Sequence, residues 1–270
     1  MDSGFRQNDE NVRFLPSYVS RLPPRMPKPL LIIQTGEAPE PILEKLGGFA
    51  QWFRASMRLR PEQVRVVRVD VGEKLPKSKE AAGAVITGSG AMVTDRERWS
   101  EDTAAWLRNA MDAELPLFGV CYGHQLIAHA LGGKVGWLPS GREIGTQPIV
   151  RNVHDDALLD GMPVNFPAHT THRQSVIEAP QGAQVLARSS ADPHQILRYS
   201  PNAISTQFHP EFGVRVMRAY LRSREEALLE EGRDVSALER EVTATPEARA
   251  LLRRFAQTAL RISNSRSPRA

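Results

Sequence analysis

A chain of 270 residues with 41% hydrophobic and 24% charged side chains can bury a substantial core, which excludes a fibrous or natively unfolded protein. One cysteine excludes an internal disulfide framework and a multi-cysteine zinc site, and fits a reducing compartment. The net charge of +4 is dispersed, with Arg6, Arg13, Arg21, Arg25 and Lys28 near one end and Arg253, Arg254, Arg261, Arg266 and Arg269 near the other, so no basic–aromatic stripe speaks for nucleic acid.

Residues 1–27 carry Pro16, Pro23, Pro24 and Pro27 and read as an arm without a core of its own. Residues 30–34 read as a buried strand. Residues 42–57 read as one helix, with Leu43, Leu46, Phe49 and Phe53 at helical spacing. Strands follow at 64–71 and 83–87, a helix at 99–113, a strand at 117–120 and a helix at 122–131. Short apolar strands alternating with helices predict a parallel sheet covered on both faces. Between 134 and 208 the pattern changes to short β signals at 134–137, 146–151, 184–188, 195–199 and 203–208. These are expected as antiparallel strands wrapped onto one side of the parallel core. Past Phe212 the chain reads as helical: one helix begins around Val216, Met217, Tyr220 and Leu221, another covers 236–242, and Pro246 opens a third that runs to about residue 262. The expected organisation is an arm at 1–27, an α/β domain at 28–212 and a helical extension at 213–270 packed on the same domain. The longest apolar runs, such as Leu30-Leu31-Ile32-Ile33, fall far short of the ~20 residues of a membrane span. The N-terminal residues lack the apolar core of a signal peptide, so the expected location is cytoplasmic.

The cysteine lies in Leu117-Phe118-Gly119-Val120-Cys121-Tyr122-Gly123-His124-Gln125-Leu126-Ile127. An apolar run ends at Gly119 and a helical segment begins just after Cys121, which places the thiol on a tight strand-to-helix turn. Helix N-terminal amides favour the thiolate there. A second segment, Gln207-Phe208-His209-Pro210-Glu211-Phe212, ends a predicted strand. Side chains two apart on an extended chain point the same way, so His209 and Glu211 can serve one partner. A nucleophilic cysteine needs a base, and the base needs an acceptor that fixes its tautomer; Cys121, His209 and Glu211 supply these roles. A third segment, Ala84-Val85-Ile86-Thr87-Gly88-Ser89-Gly90, is a strand running into a small-residue turn, at the sheet edge where ligands bind. Its backbone N–H groups, with that of Tyr122, would form an oxyanion hole. No Gly-Lys-Ser/Thr follows, which argues against a phosphate loop.

Gly119-Val120-Cys121-Tyr122-Gly123-His124-Gln125 resembles the nucleophile motif of class I glutamine amidotransferases, and Phe208-His209-Pro210-Glu211 resembles their histidine–glutamate motif. Ile86-Thr87-Gly88-Ser89-Gly90 is similar to their oxyanion strand, with Ser89 where that family usually has glycine. The resemblance covers about residues 29–212. It implies an α/β, flavodoxin-like three-layer core with a central, mostly parallel sheet, an added small antiparallel sheet and C-terminal helices. It also implies a Cys121–His209–Glu211 triad that hydrolyses the side-chain amide of glutamine through a γ-glutamyl thioester, with the amides of Ser89 and Tyr122 on the oxyanion. Gly88, Gly90 and Gln125 would contact substrate, and His124 would be a packing residue. Thr171-His172-Arg173-Gln174-Ser175-Val176 looks like the family's second substrate-binding segment, with Thr171, His172 and Arg173 as candidate contacts, in which Arg173 either meets a substrate carboxylate or faces solvent. No cofactor or metal is implied. The similarity is nearest to stand-alone relatives of the glutaminase part of GMP synthase. The chain has no pyrophosphate loop, so an ammonia acceptor is expected on a separate synthetase chain. The alternatives are an independent γ-glutamyl peptide or conjugate hydrolase, and a non-catalytic regulatory protein that keeps the fold. The C-terminal helices cover the sheet or build a self-association surface, which leaves a homo-oligomer open.

Overall fold

Leu30–Gln34 forms β1, buried along its whole length as a strand covered on both faces must be. The structure is a computed structural model that describes Met1, residues 27–152 and residues 155–265; the expected arm at 1–27 lies outside these but for its two ends. The expected single helix at 42–57 is two: α1 (Glu40–Leu46) and α2 (Phe49–Met57). Gly47 ends α1 at φ +79 and returns its N–H to Leu43 O at 2.9 Å. The apolar periodicity runs through this break because both helices face one core. β2 (Val64–Arg68) is shorter than the expected 64–71, and a 3₁₀ turn at Val69–Val71 ends on Gly72 at φ +88.

The chain continues through β3 (Gly83–Ile86), α3 (Arg98–Asp112), β4 (Leu117–Val120), α4 (Tyr122–Ala130), β5 (Lys134–Trp137), β6 (Glu143–Arg151), β7 (Asn165–His172), β8 (Gln174–Glu178), β9 (Gln184–Arg188), β10 (Ile196–Ser200) and β11 (Ala203–Thr206). Four helices follow: α5 (Val214–Ser223), α6 (Glu225–Glu230), α7 (Val235–Glu241) and α8 (Pro246–Ser265). Among the described residues no helix is long and apolar enough to cross a membrane.

The main sheet has nine strands in the order β2-β1-β3-β4-β11-β10-β9-β6-β7. β2, β1, β3, β4 and β11 are parallel neighbours, and β10, β9, β6 and β7 each run antiparallel to the strand before them. Most of the expected antiparallel strands therefore extend the central sheet beyond β11 instead of wrapping onto a face. Only β5 and β8 make a separate two-stranded sheet. The sequence reading missed β7 and β8. The β7 segment, Asn165-Phe166-Pro167-Ala168-His169-Thr170-Thr171-His172, carries a proline and few large apolar residues. Pro167 sits directly opposite Pro148 of β6. With no N–H on either residue, that pair fits only a non-hydrogen-bonded register position.

Alternate residues of β1 divide between two cores: Leu30 and Ile32 face a cluster with α1, α2, α5 and α8, while Leu31 and Ile33 face one with α3 and α4. This is the period of a strand between two helical layers. Leu251, Leu252, Phe255, Ala256 and Ala259 make one face of α8 part of the first core. The carboxyl ends of β3, β4 and β11 lie side by side, and the three motif segments follow from them.

Candidate active site

β4 ends at Val120 and α4 begins at Tyr122, so Cys121 alone makes the turn, at φ 51 and ψ −100. A positive φ on a residue with a side chain costs ~1–3 kcal/mol and persists only where the surroundings enforce it. Here Cys121 N–H donates to Thr206 O at 2.9 Å, Gly123 N–H to Thr87 O at 3.1 Å, and Gln125 N–H to Cys121 O at 3.1 Å. The flanking glycines permit this closeness. A Cβ on Gly119 would lie 2.5 Å from Gly123 O, and one on Gly123 would lie 2.5 Å from Ile86 O.

β11 stops at Thr206, and His209-Pro210-Glu211 forms a turn, not the extended segment expected from the sequence. The two side chains still meet: His209 Nδ1 and Glu211 Oε1 are 2.7 Å apart, both buried. His209 N–H donates to His169 O of β7 at 2.7 Å, and its ring stacks on Phe212 at 4.1 Å. The imidazole is thus held by a carboxylate, a backbone bond and an aromatic face. Its Nε2, the ring nitrogen not engaged by Glu211, is buried. Gly88 adjoins both this ring and the cysteine; a Cβ there would stand 3.0 Å from His209 Cε1 and 3.7 Å from Cys121 Cβ.

Burial pushes the Cys121 thiol up, but the nearby His209 imidazolium outweighs it and the net shift is downward. Burial pushes the His209 imidazole down, but the Glu211 carboxylate and then the Cys121 thiolate outweigh it and the net shift is upward. Both directions favour a thiolate–imidazolium pair.

Cys121 opens onto a cleft of about 110 Å³, and Ser89, Gly90, Tyr122, Gln125, Thr171, His172 and Arg173 line it with the cysteine. Of the site residues expected from the sequence, His209, Glu211 and Gly88 stand outside this lining, all three buried. Ser89 Oγ accepts from Ala91 N–H at 3.1 Å, and neither Ser89 N–H nor Tyr122 N–H is taken by a described backbone carbonyl. The Tyr122 ring points elsewhere: its hydroxyl donates to Ser100 Oγ at 2.7 Å, its ring stacks on Trp99, and burial raises the phenol to about 12. Gln125 Nε2 donates to Gln174 O at 2.7 Å and Gln207 Oε1 at 3.0 Å, which uses both amide hydrogens and leaves the carboxamide oxygen as an acceptor. His124 packs beneath, its Nδ1 2.7 Å from Ser205 Oγ.

His172 sits between two acceptors, Glu143 Oε2 at 2.8 Å from Nε2 and Gln174 O at 3.0 Å from Nδ1. Both ring nitrogens face acceptors, an arrangement that favours the imidazolium. Burial works against that charge, but the Glu143 hydrogen bond and the Asp192 charge outweigh it and raise the imidazole. Arg173 stacks its guanidinium over Trp137 at 5.1 Å from the ring centroid. Sequence reasoning missed Ala91, Met92, Arg142 and Arg224 in the lining, whereas Gln174 belongs to the segment singled out after Thr171. Arg142 and Arg224 carry no local signal, because only the fold brings the turn before β6 to the junction of α5 and α6.

The family model of class I glutamine amidotransferases matches residues 42–225. The chain is 29% identical over 170 residues to a GMP synthase of Thermomicrobium roseum, 63% of this chain but 31% of that protein. It is 33% identical over 134 residues to a glutamine-hydrolyzing GMP synthase subunit of Methanopyrus kandleri, covering 49% of this chain and 68% of the other. It is 30% identical over 173 residues to γ-glutamyl peptidase 4 of Arabidopsis thaliana, covering 62% and 68%. The matched segment thus spans about a third of the Thermomicrobium roseum protein. A glutamine amidotransferase structure from Thermotoga maritima superposes with a TM-score of 0.69 at 20% identity, covering 86% of this chain and 98% of that one, which speaks for the fold. On this fold and on the extent of the family match, the chain belongs to the class I glutamine amidotransferases.

Proposed function

We propose that this protein is a cysteine amidohydrolase that cleaves the side-chain amide of glutamine to glutamate and ammonia. The observation that carries the reading is the single thiol held at positive φ on a helix N-terminus, beside a His209–Glu211 pair and open to a cleft. The Cys121 thiolate attacks the amide carbon and a C–S bond forms. The carbonyl oxygen gains the negative charge, and the N–H groups of Ser89 and Tyr122 receive it. The C–N bond then breaks, and the leaving nitrogen takes its proton from His209, so ammonia departs. His209, now neutral, removes a proton from water, which attacks the γ-glutamyl thioester and frees glutamate and the thiol. Glu211 holds the imidazole in the required tautomer throughout. The Gln125 carboxamide oxygen suits the α-ammonium of the substrate, since both amide hydrogens are already engaged. The likeness to a GMP synthase component that is a separate polypeptide supports a synthetase partner on another chain as the destination of the ammonia.

Ammonia release from glutamine is expected from the wild-type chain, alone or with a synthetase partner. It is expected to fall ~10²–10⁴-fold in His209→Ala, the range of a lost general base. Release that is unchanged in Cys121→Ser would overturn the reading.

A further inference from the structure

Among the described residues the cleft is lined by three arginines and by no acidic side chain. Arg142 is neutralised: its Nε donates to both oxygens of Glu231, at 2.9 and 3.1 Å. Arg173 has no ion pair among the described residues; its guanidinium lies over the ring of Trp137, which is 59% exposed, an arrangement that holds the cation without cancelling its charge. Arg224 lies over the ring of Tyr220 at 5.7 Å, and its Nε is buried with no hydrogen-bond partner among the described residues. A buried guanidinium donor left unmatched in a concave site is costly, and a planar fork of donors is complementary to a carboxylate. Arg224 is furthermore disfavoured as a cation, first by burial and then by the charges of Arg142 and Arg173, and an incoming anion would relieve this crowding.

Glutamine offers one carboxylate against these two unneutralised guanidinium groups, and its ammonium gains nothing from either. We propose that Arg224 is a carboxylate receptor for the amine half of the substrate, with Arg173 left for the α-carboxylate, so that the preferred substrate is a γ-glutamyl amide whose amine portion carries a second carboxylate, as in a γ-glutamyl dipeptide. The chemistry is that of the amidohydrolase reading, on which this proposal rests: the Cys121 S–C bond forms, the amide C–N bond breaks, and the departing amino acid takes the proton from His209. Water then hydrolyses the thioester to glutamate. The receptor is supplied in part by the junction of α5 and α6, so the C-terminal helices complete the substrate site as well as covering the sheet.

The test compares kcat/KM for γ-glutamylglycine with that for γ-glutamyl methylamide, which keeps the scissile bond but lacks the second carboxylate. The wild-type ratio is expected to be at least about tenfold, the equivalent of one charge-assisted hydrogen bond. In Arg224→Gln the ratio falls toward one, chiefly through KM for the dipeptide, and in Arg224→Lys it falls partway because the charge stays and the fork is lost. A thermal scan of each variant confirms that it is folded, and the wild-type ratio alone carries the test if Arg224→Gln is not. A wild-type ratio near one, or a ratio that neither variant changes, overturns the receptor while leaving the amidohydrolase intact. Absence of turnover with both compounds, and of any covalent capture at Cys121, overturns the amidohydrolase itself.

Discussion

Gly123→Ala tests whether the turn that carries Cys121 is as tightly built as its geometry implies. Gly123 is in the first turn of α4, where alanine is intrinsically better than glycine by ~1 kcal/mol. Propensity alone therefore predicts stabilisation. The new Cβ would lie 2.5 Å from Ile86 O, 2.8 Å from Ile86 Cβ and 2.9 Å from Ile86 C, all on β3. An ordinary contact is ~3.5 Å, so α4 must retreat from β3 by roughly 1 Å. Overpacking against groups that cannot swing away costs ~1–3 kcal/mol or more. The clash outweighs the propensity gain. At roughly 2–4 °C per kcal/mol, Tm falls by several degrees. The same retreat carries the thiol with it, and a displacement of that size costs ~10²-fold in rate. Thermal unfolding and the rate of Cys121 alkylation by iodoacetamide are the assays. Gly90→Ala is the stability control, because a Cβ there meets nothing within 4 Å. A Gly123→Ala variant with Tm at or above wild type and unchanged alkylation would refute the reasoning.

Glu211→Gln removes the carboxylate that most strongly favours His209 as a cation, so the pH midpoint of Cys121 alkylation should move up toward the ordinary thiol value of ~8.5; an unmoved midpoint would deny Glu211 this role. His172→Gln leaves the buried Glu143 carboxylate without its cation and should cost ~3–5 kcal/mol, most of it recovered in the double variant with Glu143→Gln; additivity of the two would show that the pair is not coupled. Asp156 is half-buried against Arg198, with two bonds of 2.8 Å. Burial raises its carboxyl, but the Arg198 hydrogen bond and charge outweigh this and the net shift is downward. A depressed carboxylate stabilises the fold above its unfolded value of ~4 and loses that contribution as pH falls through the native value. Asp156→Asn should therefore cost ~1–3 kcal/mol at pH 7 and progressively less below pH 4, followed by urea titration; a penalty that persists undiminished in acid would contradict this origin.

The parallel half of the sheet was legible because each of its strands is a short apolar run between helical segments, as in β1 and β4. The break of 42–57 into α1 and α2 was hidden because the apolar spacing continues across Gly47-Gly48, and only the left-handed Gly47 marks it. β7 was hidden because its stability comes from pairing with β6, not from its own residues. Cys121 was legible from its immediate neighbours, since Gly119 and Gly123 are demanded by contacts within the same turn and the adjacent strand. His209 and Glu211 were legible as a pair, although a turn and not an extended strand brings them together. Arg142 and Arg224 were not, because they are far apart in sequence and no motif joins them. The antiparallel extension beyond β11 was legible as strands but not as part of the central sheet, since short β signals do not reveal which edge they join.

The central claim is that Cys121 is the acyl-forming nucleophile. Incubation with a glutamine-like chloroketone followed by peptide mass spectrometry tests it most directly. A single adduct on Cys121, blocked by glutamine and lost in His209→Ala, is the predicted result. A folded protein that leaves Cys121 unmodified under the same conditions would contradict the account.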